Sequence, residues 1–68
     1  MTKEVEFLIY CIEEYKRRHG LNGKAAFSLF ESTRAKQYII DHYEALHTAG
    51  VEYTLADIDG LLTQVIHQ

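Results

Sequence analysis

The sequence predicts an all-α fold: one compact bundle of four helices, in a single domain that spans residues 1–68. Apolar residues recur every three to four positions in four separate segments, which is the spacing of amphipathic helices. The chain contains no proline, which would interrupt a helix, and Gly20 and Gly50 fall between segments. A chain of 68 residues is close to the smallest size that one core supports, so each helix is expected to contribute to it.

The first helix is predicted over about residues 3–19, and the rest of the chain is expected to pack around it. Thr2 is placed as its N-cap, and Gly20 as the left-handed residue that ends it. Residues 7–12 are uninterruptedly apolar, which widens the apolar arc well beyond the ~100° of a surface helix. The arc comprises Val5, Leu8, Ile9, Ile12 and Tyr15, with Phe7 and Cys11 at its side. Such a helix needs partners on two sides.

The second helix is short, about residues 23–31, with Asn22 as its N-cap. Ser32 and Thr33 are expected to break it and to cap the third helix, which is predicted over about residues 34–48. Gly50 is expected to close that helix, with Val51 placed where it can contact Leu46. The residues expected to face inward are Ala26, Phe27 and Phe30 in the second helix and Ala35, Tyr38, Ile39, His42, Tyr43 and Leu46 in the third.

The fourth helix is predicted over about residues 55–67. Thr54 and Asp57 have the spacing of a capping box, and Tyr53 and Ile58 that of a hydrophobic staple. Its expected inward residues are Leu55, Ile58, Leu61, Leu62, Val65 and Ile66.

The composition excludes some classes of protein. A formal net charge of -3 argues against a protein that coats nucleic acid, because such proteins are usually basic. A single cysteine cannot form an internal disulfide. Neither a signal peptide nor a long apolar run is present, so we expect a cytoplasmic protein with no membrane association.

Four sequence patterns together resemble a known family. They are Phe-Leu-x-Tyr-Cys-Ile-Glu-x-Tyr-Lys at 7–16, Gly-Lys-x-x-Phe-x-Leu-Phe at 23–30, Tyr-Ile-x-x-x-Tyr-Glu-x-Leu-His-x-x-Gly at 38–50, and Asp-Ile at 57–58. The chain resembles a family of short bacterial all-helical proteins classified as a domain of unknown function. Ala25 departs from the acidic residue that relatives tend to have there. The resemblance implies that the gene often lies beside one for an ADP-ribosyltransferase-like protein, an arrangement typical of a toxin and its neutralising partner.

No residue pattern points to catalysis, a metal or a cofactor. The four histidines are His19, His42, His47 and His67. His42 and His47 are five residues apart, so they point different ways on a helix, and His42 is expected to be a core histidine. Asp57 to Gly60 superficially resembles a calcium loop but lies within an amphipathic helix. Cys11 is expected to be a buried, inert thiol. We therefore predict a protein that is not an enzyme.

One basic cluster suggests an alternative function. Arg17 and Arg18 lie in the last turn of the first helix and Lys24 follows it, where charge compensation is the simpler interpretation and anion contact the other. The second and third helices also have the order of a helix-turn-helix, although acidic residues on the third disfavour DNA. The alternative is a small nucleic-acid-binding or regulatory protein.

A protein partner is the favoured interpretation. Tyr10 and Ile40 lie off the expected inward faces and are flanked by charge, which is typical of interfaces. His47 and Tyr53 are further candidate contacts, and Ala56, Gly60 and Thr63 form a smooth strip on the fourth helix. We predict a protein-interaction module, with neutralisation of a co-encoded toxin as its specific form. A homo-oligomer is left open.

Overall fold

The computed structural model describes residues 1–66, and their side chains as far as residue 62. The helices in chain order are α1 (Lys3–His19), α2 (Gly23–Ser32), α3 (Ala35–Asp41), α4 (Tyr43–Ala49) and α5 (Val51–Ile66). The all-α prediction is confirmed, and no strand occurs in residues 1–66. The predicted count of four helices is wrong, because the described part of the chain forms five.

The predicted caps of the first two helices are confirmed. The hydroxyl of Thr2 accepts a hydrogen bond from the N–H of Val5 at 3.1 Å, and the side chain of Asn22 accepts one from the N–H of Ala25 at 2.7 Å. Gly20 adopts the left-handed conformation with φ 63° and ψ 33°. The N–H of Leu21 then bonds to the carbonyl of Lys16 at 3.0 Å, so α1 ends in a closed C-terminal turn.

The predicted third helix is divided at His42. This residue has φ -112° and ψ 26°, and it lies exposed between α3 and α4. The expectation of a core histidine is therefore wrong, and its ring instead lies 4.9 Å from that of Tyr38. Both halves pack against α1. Ser32 and Thr33 do not cap α3, since the hydroxyl of Thr33 donates back to the carbonyl of Leu29 at 2.6 Å.

The last helix begins earlier than predicted. Gly50 ends α4 as predicted, with φ 105° and ψ 167°, and α5 follows at once. Thr54 lies within α5, where its N–H and its hydroxyl both donate to the carbonyl of Gly50, at 3.1 and 2.9 Å. The predicted capping box is therefore wrong. The staple is wrong too, because Ile58 is in the core while Tyr53 is 56% exposed.

The core surrounds α1, which contacts each of the other four helices. Its buried members are Leu8, Cys11, Ile12, Tyr15, Ala26, Phe30, Ala35, Ile39, Leu46, Leu55, Ile58 and Leu62. The inward placement predicted for Ile9 and Phe27 is wrong, because their side chains are 44% and 47% exposed. The predictions for Thr63, Val65 and Ile66 concern side chains outside the described ones, and His67 lies outside the described residues. Within residues 1–66, no helix has the length and apolar character that crossing a bilayer requires.

Candidate functional site

An open apolar groove of about 400 Å³ runs between α1 on one side and α2 and α3 on the other. Its apolar lining consists of Val5, Leu8, Ile9 and Ile12 of α1, Phe27 of α2 and Ile40 of α3. Glu13 and Lys36 stand at its borders. The α1 positions follow the i, i+3, i+4, i+7 spacing of one helix face, so one wall of the groove is a continuous apolar stripe.

The groove exists because the neighbouring helices do not cover the whole apolar arc of α1. Leu8 and Ile12 are almost fully buried in the core, whereas Ile9 at the edge of the arc remains 44% exposed. Phe27 faces the same opening from α2 and is 47% exposed. Sequence reasoning assigned Ile9 and Phe27 to the core. The sequence feature that could have revealed the groove is the wide apolar arc of α1, because the short helices that follow are too small to cover all of it.

Lys36 gives the groove a positive border. Its ammonium nitrogen lies 3.2 Å from a carboxylate oxygen of Glu31 and 6.0 Å from the centre of the Phe27 ring. The second distance is at the limit for an attractive contact between a cation and an aromatic face. Glu13, at the other border, is 3.0 Å from the ammonium of Lys16. The apolar floor is thus flanked by ion-paired side chains, an arrangement of apolar centre and charged rim.

A shallow acidic pocket adjoins the groove at the α3–α4 junction, and Ile40 lines both spaces. The residues that line the acidic pocket include Glu4, Asp41 and Glu44, together with His42 and Tyr43. Asp41 accepts a hydrogen bond from the side-chain amide of Gln37 at 2.8 Å. The lining residues 40–45 span the junction at His42, so the pocket lies where α3 ends and α4 begins.

The four residues predicted to contact a partner do not form one cluster. Ile40 is partly buried and lines the groove. Tyr10 on α1 and Tyr53 on α5 are 55% and 56% exposed, and neither is part of the groove lining. His47 is exposed but stacks on the ring of Tyr43 at 4.9 Å. Of this set, only Ile40 belongs to the groove, and the roles of the other three stay predictions.

The basic cluster at the end of α1 is engaged with carboxylates. The guanidinium of Arg17 is 2.7 Å from Glu14, and that of Arg18 pairs with Glu52 of α5. The pair raises the pKa of Arg18 and lowers that of Glu52, in each case mainly through their hydrogen bond. Lys24 is exposed at the start of α2. These contacts agree with charge compensation, and anion binding by Arg17, Arg18 and Lys24 stays a prediction.

Three further groups with raised pKa values, those of Tyr38, Tyr15 and Cys11, are explained by contacts within the fold. Tyr38 donates a hydrogen bond to Asp57 at 2.7 Å, and this bond is the main reason that its pKa rises to about 12. Burial, followed by the nearby carboxylate of Asp59, raises the pKa of Tyr15. Burial also raises the pKa of the Cys11 thiol to about 12. Among the side chains that the structure describes, no three metal-binding groups converge.

Comparison with known proteins gives one result. A family model described as "Protein of unknown function (DUF3791)" matches residues 6–64. No curated protein matches the chain. No solved structure matches it either.

Proposed function

The chain belongs to the DUF3791 family, and we propose that it is a non-enzymatic interaction module that binds a protein partner through the apolar groove. The family match extends over almost the whole chain and agrees with the resemblance expected from the sequence. The proposed setting is the cytoplasm of a bacterial cell. In its specific form, the proposal is that the partner is a toxin encoded by a neighbouring gene, which the bound module neutralises.

The observation that supports this proposal is the exposure of large apolar side chains along one groove. Ile9 and Phe27 are nearly half exposed and line one groove with the partly buried Ile40, so the described part of the chain leaves this apolar surface open. Contiguous exposed apolar surface with a polar rim is typical of protein interaction sites. The groove walls are helices, which favours a mode of binding in which a partner helix lies between them.

The charge on the groove borders also supports a protein partner over a small ligand. A pocket for a small molecule usually combines apolar walls with a few convergent polar groups. Here the polar groups at the borders, Glu13 and Lys36, are already paired with Lys16 and Glu31. Paired charges around an apolar floor match the rim of a protein interface, where they contribute more to specificity than to affinity.

Co-purification tests the proposal. The tagged chain is co-expressed with the product of each neighbouring gene, and the expected result is a stoichiometric complex with one of them. Ile9→Ser and Phe27→Ser are each expected to weaken capture about tenfold or more, since apolar anchors at the centre of an interface contribute ~2 kcal/mol or more. Because both side chains are nearly half exposed, the variants are expected to remain folded, as circular dichroism would verify.

Tyr53→Ser removes an equally exposed large side chain outside the groove, at a position that the sequence also predicted as a partner contact, so it distinguishes the groove from that second candidate surface. It is expected to leave capture unchanged. Recovery of no stoichiometric partner from any neighbouring gene would contradict the toxin-neutralising form of the proposal. Capture that survives both groove variants and is lost in Tyr53→Ser would place the binding surface on α5 instead.

A further inference from the structure

The apolar groove and the acidic pocket adjoin each other, and charge is unevenly distributed between them. Ile40 lines both spaces, and Glu4 of the acidic pocket precedes Val5, the first α1 residue of the groove, so Glu4, Asp41 and Glu44 lie beyond that end of the groove. The opposite end of the groove is bordered by Glu13, which is paired with Lys16. The surface therefore has an apolar middle and one acidic end.

The acidic end is the uncompensated one. Among the side chains that the structure describes, no lysine, arginine or histidine forms an ion pair with Glu4, Asp41 or Glu44. The carboxylates elsewhere that do have cationic partners are Glu13, Glu14, Glu31, Glu52 and Asp59. A cationic side chain of a bound partner would therefore find carboxylates at this end that no described cation already pairs with.

The dimensions of the groove fit a helix. Its α1 wall runs from Val5 to Glu13, a length of about 12 Å at ~1.5 Å per residue. Two to three turns of a second helix cover this length and present apolar side chains at i, i+3 or i+4, and i+7. No strand occurs in residues 1–66, so that part of the chain offers no sheet edge for an extended peptide.

We propose that the groove binds an amphipathic helix of a partner protein whose apolar face carries a lysine or arginine at the end that reaches Glu4, Asp41 and Glu44. This inference rests on the proposed function, because it specifies the segment that the groove accepts. The apolar face supplies affinity, and the basic residue fixes the direction in which the helix lies. A second copy of this chain and a helix without a basic end are the competing occupants.

The test uses the full chain and a displayed library of random helical peptides of about 18 residues, long enough to form a helix. Clones are selected on the parent and counter-selected on Phe27→Ser, so that only groove-dependent binders remain. These clones are expected to share an apolar i, i+3 or i+4, i+7 face with a lysine or arginine at one end. Glu4→Gln/Glu44→Gln is expected to weaken their binding about fivefold, and less so at high salt.

Glu6→Gln is the matched control, because it neutralises a carboxylate in the same turn of α1 but outside both pockets. It is expected to leave binding unchanged. Groove-dependent clones without a basic residue, or with undiminished affinity for the double variant, would overturn this inference and leave the proposed function standing. A complete lack of groove-dependent clones would overturn it as well. A dimer of the parent in sedimentation that Phe27→Ser dissociates would assign the groove to a second copy.

Discussion

Tyr38 joins two helices through one hydrogen bond. Its hydroxyl, on α3, donates to the carboxylate of Asp57 on α5 at 2.7 Å, and both residues are partly buried. The sequence placed both residues on helices, yet it assigned Asp57 to a capping box and Tyr38 to the apolar face. Residue patterns identify which helix face a side chain occupies, but they do not reveal which polar groups meet across two helices.

Tyr38→Phe should lower the free energy of unfolding by about 1–2 kcal/mol at neutral pH, because the hydrogen bond to a carboxylate is lost. The pKa of Tyr38 is raised to about 12, so the folded state favours the neutral phenol. Its contribution is therefore complete below the ordinary tyrosine pKa of ~10 and is lost as the pH rises towards 12. Melting temperatures measured between pH 7 and pH 12 should show the difference between variant and parent narrowing over that window.

Tyr10→Phe is the control for this prediction, since it removes a hydroxyl from a tyrosine that is 55% exposed. Its melting temperature at neutral pH should equal that of the parent. A constant difference between Tyr38→Phe and the parent across the alkaline range would show that the hydroxyl of Tyr38 does not titrate with folding.

Arg34 holds the one left-handed conformation of a non-glycine residue in the described chain, with φ 67°. A Cβ in this conformation costs roughly 1–2 kcal/mol, while glycine costs ~0.5–1 kcal/mol through the entropy of the unfolded chain. Arg34→Gly should therefore raise the stability by about 0.5–1 kcal/mol in chemical denaturation. Arg34→Ala, which keeps the Cβ and removes the guanidinium, should not. An equal gain in both variants would assign the effect to the guanidinium.

At the scale of elements, the sequence predicted helices better than their junctions. The ranges of α1 and α2 and their caps were predicted correctly, because Thr2, Asn22 and Gly20 act locally on their own turns. The division at His42 was missed, since apolar positions keep the same spacing through a bend. The early start of α5 was missed because Thr54 has the side chain of a cap but bonds backwards to Gly50.

Gly60, in the middle of α5, has neither a backbone conformation nor a close neighbour that would require glycine. A Cβ built on Gly60 meets nothing within 4 Å, and its backbone is helical. Gly60→Ala should therefore raise the free energy of unfolding by about 1 kcal/mol, an increase in Tm of roughly 4 °C or more for a domain this small.

Gly20→Ala is the contrasting variant. Gly20 also has open space around it, but its φ of 63° is left-handed. That variant should lose roughly 1 kcal/mol, since alanine is strained in the left-handed conformation. Scanning calorimetry on both proteins would check the pair. A loss of stability in Gly60→Ala would indicate a contact of the α5 surface that the single chain does not show.

At the scale of the whole molecule, the size of the chain explains the groove. The radius of gyration is 11.1 Å, close to the ~11 Å typical of a folded chain of this length. A small domain buries a lower fraction of its surface than a large one. The three short helices α2, α3 and α4, together with α5, therefore enclose most of the apolar arc of α1 but leave Ile9 at its edge exposed. The sequence predicted an arc too wide for one partner, whereas only the three-dimensional arrangement shows which part stays open.

The buried thiol of Cys11 can report how often α1 separates from the rest of the protein. It is the single cysteine of the sequence, its side chain is 0% exposed and its thiol has a pKa of about 12. A thiol-specific reagent should therefore modify the protein only during the moments when α1 swings away from its neighbours. A bound partner helix that clamps α1 should slow this modification by a factor of about 1 + [L]/Kd. The rate at which Cys11 is modified would then report both the opening of the protein and the occupancy of its groove, and no probe would have to be introduced.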